Sequence, residues 1–209
     1  MITGAVFLGY SQSCNMTYSC LFVSKFLNHL KDSGIDLSQV IIQTDNGSEF
    51  SGTERKERDR GFKHMIEKVF KSKHRPIPPS CPNADVETFH NLVENDFFDL
   101  ENFASREDFF CKISTYQSYF NYLRKNSYKG YKAPAELIKL ALPDFDCNSY
   151  LSFFPVDLDE LLVKLFLKGY TISVNIPRTM EFSLDFTMEL CLSLSLTYLM
   201  ALGYSTIKA

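Results

Sequence analysis

The sequence lacks the paired cysteines that zinc sites and disulfide frameworks use. Its six cysteines are scattered over 209 residues, with no C-x-x-C spacing and no grouping with the four histidines. This pattern excludes a recognisable zinc site and is typical of reduced thiols in the cytosol, so we expect a cytoplasmic protein. The cysteines are Cys14, Cys20, Cys81, Cys111, Cys147 and Cys191.

The sequence also lacks a segment suited to a membrane. An apolar stretch at residues 190–202 carries several hydroxyl groups and falls short of the roughly 18–20 residues that a spanning helix needs. The first residues have no basic region ahead of an apolar stretch, so they do not resemble a signal peptide. We therefore expect no membrane partner.

An overall positive charge is missing too. A formal net charge of −3 and a pI of about 5.8 argue against general attraction to nucleic acid. Locally, residues 53–75 contain nine basic and four acidic residues. These basic residues could contact phosphates or form an ordinary solvated loop and helix face, and both interpretations stay open. The DNA-binding candidates in this first basic cluster are Arg55, Arg58, Arg60, Lys63, Lys71, Lys73 and Arg75.

With 45% hydrophobic and 22% charged residues, the chain can bury one sizeable core and carry a small appendage. Apolar spacing predicts helices over residues 15–31 and 105–123, and Gly34 should stop the first of them. Residues 5–10 read as a strand. The aromatic stripes of both helices are typical of core packing rather than of a cofactor site.

A carboxylate follows a predicted strand near residue 45. Val40, Ile41 and Ile42 form a β-branched run between polar turns, which predicts a fully buried strand, and Asp45 stands where that strand ends. In open α/β sheets ligands bind at the carboxyl ends of strands, so an acid there can reach a metal or a phosphate. The alternative is that residues 45–47 form only a turn.

A second acid lies on a predicted helix that begins after Asn83. Val86, Phe89, Val93 and Phe97 recur at helical spacing and give one apolar face. Glu87 belongs to the polar face, near the positive end of the helix dipole. An ordinary solvated face is the alternative for this side of the helix.

Together these segments resemble the catalytic core of the DDE integrase and transposase superfamily. Residues 44–50 (TDNGSEF) match the segment around the family's second acid, and residues 82–90 (PNADVETFH) match the segment around its terminal glutamate. Residues 119–137 (YFNYLRKNSYKGYKAPAEL) look like a tract of bacterial transposases that ends in Ala-Pro-Ala-Glu-Leu. Each motif is weak alone, but the three occur in the family's order over about residues 1–140.

The resemblance implies an α/β fold: an RNase H-like mixed sheet flanked by helices, with residues 1–140 as the core and 141–209 as a helical extension of uncertain structure. It implies that Asp45 and Glu87 are catalytic and bind Mg²⁺ or Mn²⁺ in a two-metal site. Double-stranded DNA is then the implied partner, a nucleoid-associated place in the cytoplasm is implied, and self-association into a homo-oligomer stays open.

One acid of the family pattern is absent. The family's first aspartate lies on the opening strand of its sheet, but this sequence has no Asp or Glu before Asp32. We therefore expect a core that lacks its opening strand through N-terminal truncation, with an incomplete metal site and little or no activity. The alternative is a non-catalytic remnant of a mobile element that binds DNA or an intact integrase.

A second basic cluster interleaves basic residues with tyrosines between residues 119 and 132. Within it we assign Arg124 and Lys125 to DNA contact. Tyr119 and Tyr122 are assigned to packing near a helix end. The apolar stretches of the extension could pack as further helices or lack a fixed structure, and the sequence leaves this open.

Overall fold

The computed structural model describes residues 3–44, 47, 50, 61–77 and 84–168, without the side chains of residues 84–87. Helices are mixed with short strands that form two parallel pairs, in agreement with the predicted α/β class. The elements in chain order are β1 (Gly9–Tyr10), α1 (Met16–Asp32), a 3₁₀ turn (Leu37–Gln39), β2 (Ile41–Thr44), α2 (Phe62–His64, continued by a π-helical turn Met65–Val69), β3 (Lys73–Pro76), α3 (Ala84–Val93, continued by a π-helical turn Glu94–Phe98), α4 (Arg106–Tyr122), a 3₁₀ turn (Ser127–Lys129), α5 (Pro134–Ala141), α6 (Cys147–Leu151), β4 (Val156–Asp157) and α7 (Leu158–Leu167).

The two long predicted helices are confirmed, with side-chain caps at their starts. In α1 the side-chain oxygen of Asn15 accepts the Tyr18 N–H at 3.2 Å, and in α4 Ser105 accepts the Asp108 N–H at 3.2 Å. Each cap satisfies one of the free N–H groups of a first turn. Gly34 follows α1 with φ of +81°, a left-handed conformation that glycine adopts without strain.

The predicted strand over residues 5–10 forms a ladder only at its last two residues. The Val6 N–H and C=O bond instead to the side-chain amide of Asn121, both at 2.8 Å, and the Leu8 N–H donates to Gln117 at 2.9 Å. These amides from α4 occupy hydrogen-bonding positions that a neighbouring strand would use. Residues 5–8 are therefore buried, and within the described part of the chain they belong to no sheet.

Residues 5–8 separate two hydrophobic clusters because successive side chains of an extended chain point to opposite sides. Ala5 and Phe7 join the larger cluster, which contains side chains of α1, β2, α2 and α5 to α7. Val6 and Leu8 join the smaller cluster, formed with α3 and α4. We call residues 5–8, which lie between the two clusters, the wall of the molecule.

Strand β2 pairs in parallel with β3, from Ile41 opposite Lys73 to Thr44 opposite Pro76. Ile42 and Thr44 are buried, whereas Ile41 and Gln43 are only half-buried. The prediction of a fully buried strand is therefore wrong. Among the described residues this sheet has two strands, and it packs on the core through alternate side chains only.

The first part of the predicted C-terminal extension packs against the core. Strand β4 pairs in parallel with β1, and the Val156 N–H donates to the Leu8 carbonyl at 3.0 Å. Tyr150, Phe153 and Leu158 belong to the larger cluster together with α1. Residues 169–209, with the apolar stretch 190–202, lie outside the described residues. Within the described ranges, no helix is both long and apolar enough to cross a bilayer.

Candidate functional site

The carboxyl ends of β2 and β3 lie side by side, which is the position where open α/β sheets bind ligands. The Ile77 N–H donates to the Thr44 carbonyl at 2.7 Å and extends the pairing by one step. Asp45 is the next residue after Thr44 in the sequence, and six residues after Ile77 lead to α3. Both predicted acids therefore follow this one edge of the sheet.

Of the two acids, the structure describes only the backbone of Glu87. Asp45 lies outside the described residues, and the backbone of Glu87 is helical in α3 while its side chain lies outside them. Among the described side chains, which include neither acid, no three His, Cys, Asp or Glu residues are grouped closely enough to hold a metal ion. The two-metal site with Mg²⁺ or Mn²⁺ stays a prediction.

A histidine that the sequence analysis did not single out lies at this edge. The His74 Nε2 is 2.9 Å from the Thr44 hydroxyl oxygen, and its ring meets the Phe62 ring edge-on at 5.5 Å. Burial lowers the pKa of His74, Glu67 opposes this and Lys63 adds a smaller lowering, so the environment favours the neutral ring. The feature that could have indicated His74 is its position in β3, beside the strand that leads to Asp45.

The His74 ring leaves one nitrogen without a partner. Its Nδ1 is buried and forms no hydrogen bond within the described part of the chain. A buried polar atom without a partner is uncommon in folded proteins. Thr44 and His74 thus form a neutral hydrogen-bonded pair at the strand end that precedes Asp45.

Four of the seven DNA-binding candidates in the first basic cluster are described, and all four are exposed. Lys73 and Arg75 lie two residues apart on β3 and therefore share one face of the strand. Lys63 on α2 lies 3.9 Å from Glu67 in a solvent-exposed pair, and Lys71 precedes β3. The other three, Arg55, Arg58 and Arg60, lie outside the described residues.

The two candidates of the second basic cluster differ from one another. The Arg124 guanidinium lies 3.4 Å from Asp96 and 5.3 Å above the Phe120 ring, and 23% of the side chain is exposed. Lys125 is exposed. Arg124 is therefore engaged within the protein, through a long ion pair that a phosphate could replace. Its assignment to DNA stays a prediction.

The sequence analysis also missed an ion-pair cluster at the carboxyl ends of β1 and β4. Arg106 contacts Asp157 through Nε and Nη2, both at 2.6 Å, and Asp159 through Nη2 at 2.8 Å. The Asp159 carboxylate also accepts the Gln12 N–H at 3.1 Å. Both acids pair with Arg106, so they hold β4 and α7 to the start of α4. Acidic residues at the start of α7 were the available signal.

The described geometry thus brings together the strand ends that precede both predicted acids, the Thr44–His74 pair and the exposed basic face of β3. It does not place the Asp45 or Glu87 carboxylates. The chain was compared with models of known protein families, with curated proteins and with solved structures, and none of the three comparisons gave a match.

Proposed function

We propose that this chain contains a metal-dependent DNA strand-transfer core of the DDE integrase and transposase type, with an RNase H-like arrangement of strands and helices. The observation that carries the proposal is the parallel pairing of β2 with β3. Each of these strands leads to one acid, Asp45 directly and Glu87 through α3. The bond from Ile77 to Thr44 holds the starts of the two connections together.

In the proposed site the carboxylates of Asp45 and Glu87 bind Mg²⁺ or Mn²⁺, because these ions prefer oxygen ligands. Two such ions would supply Lewis acids at the attacking and leaving oxygens of a phosphodiester. Asp45 is attached to a strand end that is fixed by two hydrogen bonds to Thr44, from Ile77 and with His74. Such support is what a metal ligand needs to keep its position.

The exposed face of β3 supplies contacts for DNA next to this site. Lys73 and Arg75 are exposed on the strand, and Lys71 lies two residues before its start. Lysine and arginine contacts to phosphates supply most of the affinity of sequence-independent DNA binding. We propose that this face positions double-stranded DNA over the carboxyl ends of β2 and β3.

The number of carboxylates limits what the site does. Residues 1–31 contain no Asp or Glu, and the buried wall at residues 5–8 is entirely apolar. With two acids in place of three, the site would offer one carboxylate fewer to the ions that it would hold. We propose that this chain binds DNA and a divalent ion but does not cleave.

The second proposal is a non-catalytic remnant that needs no metal ion, and the apolar wall at residues 5–8, which offers no acid, favours it. In this role the chain binds double-stranded DNA, an intact integrase or another copy of itself through the same surface. Metal dependence distinguishes the two proposals. A DNA-binding remnant needs no divalent ion, whereas a metal-dependent core should bind DNA more tightly when Mn²⁺ is present.

Duplex DNA binding and nicking, measured with EDTA, Mg²⁺ or Mn²⁺, test the proposed function. We expect binding that Mn²⁺ strengthens, loss of this strengthening in Asp45→Asn and Glu87→Gln, and no nicking. Glu94→Gln, an exposed acid just after α3, is the matched control and should behave as the unmodified chain does.

The other outcomes each decide a point. Binding that no metal affects would favour the non-catalytic remnant. Nicking that disappears in Asp45→Asn would show that another group supplies the third ligand, and would overturn the proposed inactivity. Failure to bind duplex DNA at all would contradict the DNA-binding part of both proposals.

A further inference from the structure

The connection between α4 and α5 exposes two aromatic rings. Tyr128 is 97% exposed and Tyr131 is 70% exposed. Neither ring belongs to the two hydrophobic clusters formed by the described residues. We call residues 126–132 the tyrosine loop. Because its rings contribute little to the folded core, core packing does not explain why they are there.

Asn126 holds the tyrosine loop in one conformation. Its side-chain oxygen accepts the Tyr128 N–H at 2.9 Å, and its carbonyl accepts the N–H groups of Lys129 and Tyr131, both at 3.0 Å. Its own N–H donates to the Lys132 carbonyl at 3.3 Å. The two rings are thus presented by an ordered backbone, and a ligand that binds them loses little conformational entropy from the loop.

The backbone at Tyr131 is strained. Its φ of +55° lies in the left-handed region, which a bulky side chain rarely adopts and which glycine or asparagine usually fills. Strain of this kind clusters at sites of function, and it has no packing reason here because the ring is mostly exposed. The arrangement suits a ring that contacts a ligand.

In the sequence, the two rings lie in a stretch of one charge sign that ends at Glu136, whose carboxylate accepts the Ala133 N–H at 2.7 Å. Residues 119–135 contain four basic residues and no acidic residue. Among them Lys125 is exposed and Lys132 is half-buried at the end of the loop. Flat rings stack on nucleic-acid bases of any sequence, and ammonium groups neutralise phosphates, so rings and lysines together match an unpaired strand.

We infer that the tyrosine loop binds unpaired DNA, with bases stacked on Tyr128 and Tyr131 and phosphates beside Lys125 and Lys132. This inference rests on the proposed function because it takes DNA as the ligand. It adds that a second surface, the tyrosine loop, binds DNA in its unpaired form. In a duplex the faces of the bases are covered by their neighbours. The loop therefore fits bases that have left the duplex, as at a frayed or cut end.

Binding of a fluorescent oligothymidylate of about 12 nucleotides, followed by anisotropy in EDTA, tests the inference. Tyr128→Ala and Tyr131→Ala should each weaken the affinity by about fivefold or more, while Tyr128→Phe and Tyr131→Phe keep it near the original value. Phe154→Ala is the matched control, because Phe154 is 70% exposed as Tyr131 is, but lies outside the loop. It should not change the affinity.

A direct signal of stacking comes from Tyr128→Trp. The chain contains no tryptophan, so this variant has a single indole fluorophore in the loop. We expect the oligothymidylate to quench its emission in proportion to the bound fraction. Unchanged emission at saturating oligonucleotide would contradict stacking at this position.

Two further results would overturn the inference. The first is that Tyr128→Ala and Tyr131→Ala bind oligothymidylate as tightly as the unmodified chain, or that the unmodified chain does not bind it. The second is an equal loss of affinity for a duplex of the same length, which would mean that the tyrosines contact the backbone. Because EDTA removes divalent ions, these results do not depend on the proposed metal site, and the two proposals can fail separately.

Discussion

At the scale of single residues, His74 is the group whose chemistry the fold changes most clearly next to the proposed site. Its ring is held between the Thr44 hydroxyl and the edge of Phe62. Burial lowers its pKa below the ordinary 6.5, so the proton is less strongly bound in the folded protein than in the unfolded chain.

This shift gives the protein a defined dependence on pH. Below an ordinary pKa of 6.5 the unfolded chain binds more protons at His74 than the folded protein does, so the free energy of unfolding falls as the pH drops through that range. The contribution of His74 to the free energy of unfolding is fully present above pH 6.5. An NMR titration should place the midpoint of the signal that His74→Gln removes below 6.5, and a midpoint at or above 6.5 would contradict this environment.

Asn121 is a residue whose loss should be costly. Its side chain is 1% exposed and makes two hydrogen bonds of 2.8 Å to the backbone of Val6. Asn121→Ala leaves a buried donor and a buried acceptor unpaired, and should lower the free energy of unfolding by about 2–5 kcal/mol. Urea denaturation measures the change. Asn148→Ala, at an exposed asparagine, should change it by less than about 0.5 kcal/mol, and equal effects would argue against the amide contact.

At the scale of elements, Arg106 connects the start of α4 to β4 and α7. Its fork bonds Asp157 twice and Asp159 once, and these contacts raise the pKa of the guanidinium. Asp157 also caps α7 by accepting the Glu160 N–H at 2.9 Å. One arginine therefore fixes the segment that carries the strand partner of β1.

Replacing Arg106 should loosen this segment. Arg106→Lys keeps the charge but loses the planar fork, and we expect a loss of about 1–3 kcal/mol in the free energy of unfolding, with a larger loss for Arg106→Ala. The side chain is 31% exposed, so solvent screening keeps the effect below that of a fully buried pair. Lys164→Gln, in an exposed pair with Glu160, should have almost no effect. Urea denaturation of the three variants compares them.

At the scale of the whole molecule, local sequence patterns predicted the elements more reliably than their partners. Apolar spacing located α1, α3 and α4, and Gly34 marked the end of α1, because these signals act within a few residues of the chain. The pairing of β1 with β4 joins residues far apart in sequence, and no local pattern marks Val156 as a partner of the N-terminal segment. The amide contacts of Asn121 and Gln117 escaped prediction for the same reason.

The candidate site divides in a similar way. The parallel pair that supports the proposal consists of β2 and β3. The sequence predicted β2 from its β-branched run but did not predict β3. His74 was missed because its burial depends on Phe62 from another element. The exposure of Lys73 and Arg75 depends on which face of β3 the core covers, and composition does not determine that face.

The basic face of β3 carries a prediction about DNA binding. Replacing Lys73 and Arg75 by glutamine should weaken duplex binding in a sequence-independent way, and should reduce the slope of log affinity against log salt by about 0.9 for each lost phosphate contact. Fluorescence anisotropy at several salt concentrations measures both quantities. Lys164→Gln is the control and should leave the slope unchanged. The same slope in all variants would place the DNA elsewhere.

The central claim is that Asp45 and Glu87 bind a divalent ion together. Electron paramagnetic resonance of Mn²⁺, titrated with the protein in the absence of DNA, tests it most directly. We expect the affinity for Mn²⁺ to fall at least about tenfold in Asp45→Asn and in Glu87→Gln, but not in Glu94→Gln. Mn²⁺ binding that neither substitution weakens, or no binding at all, would contradict the account.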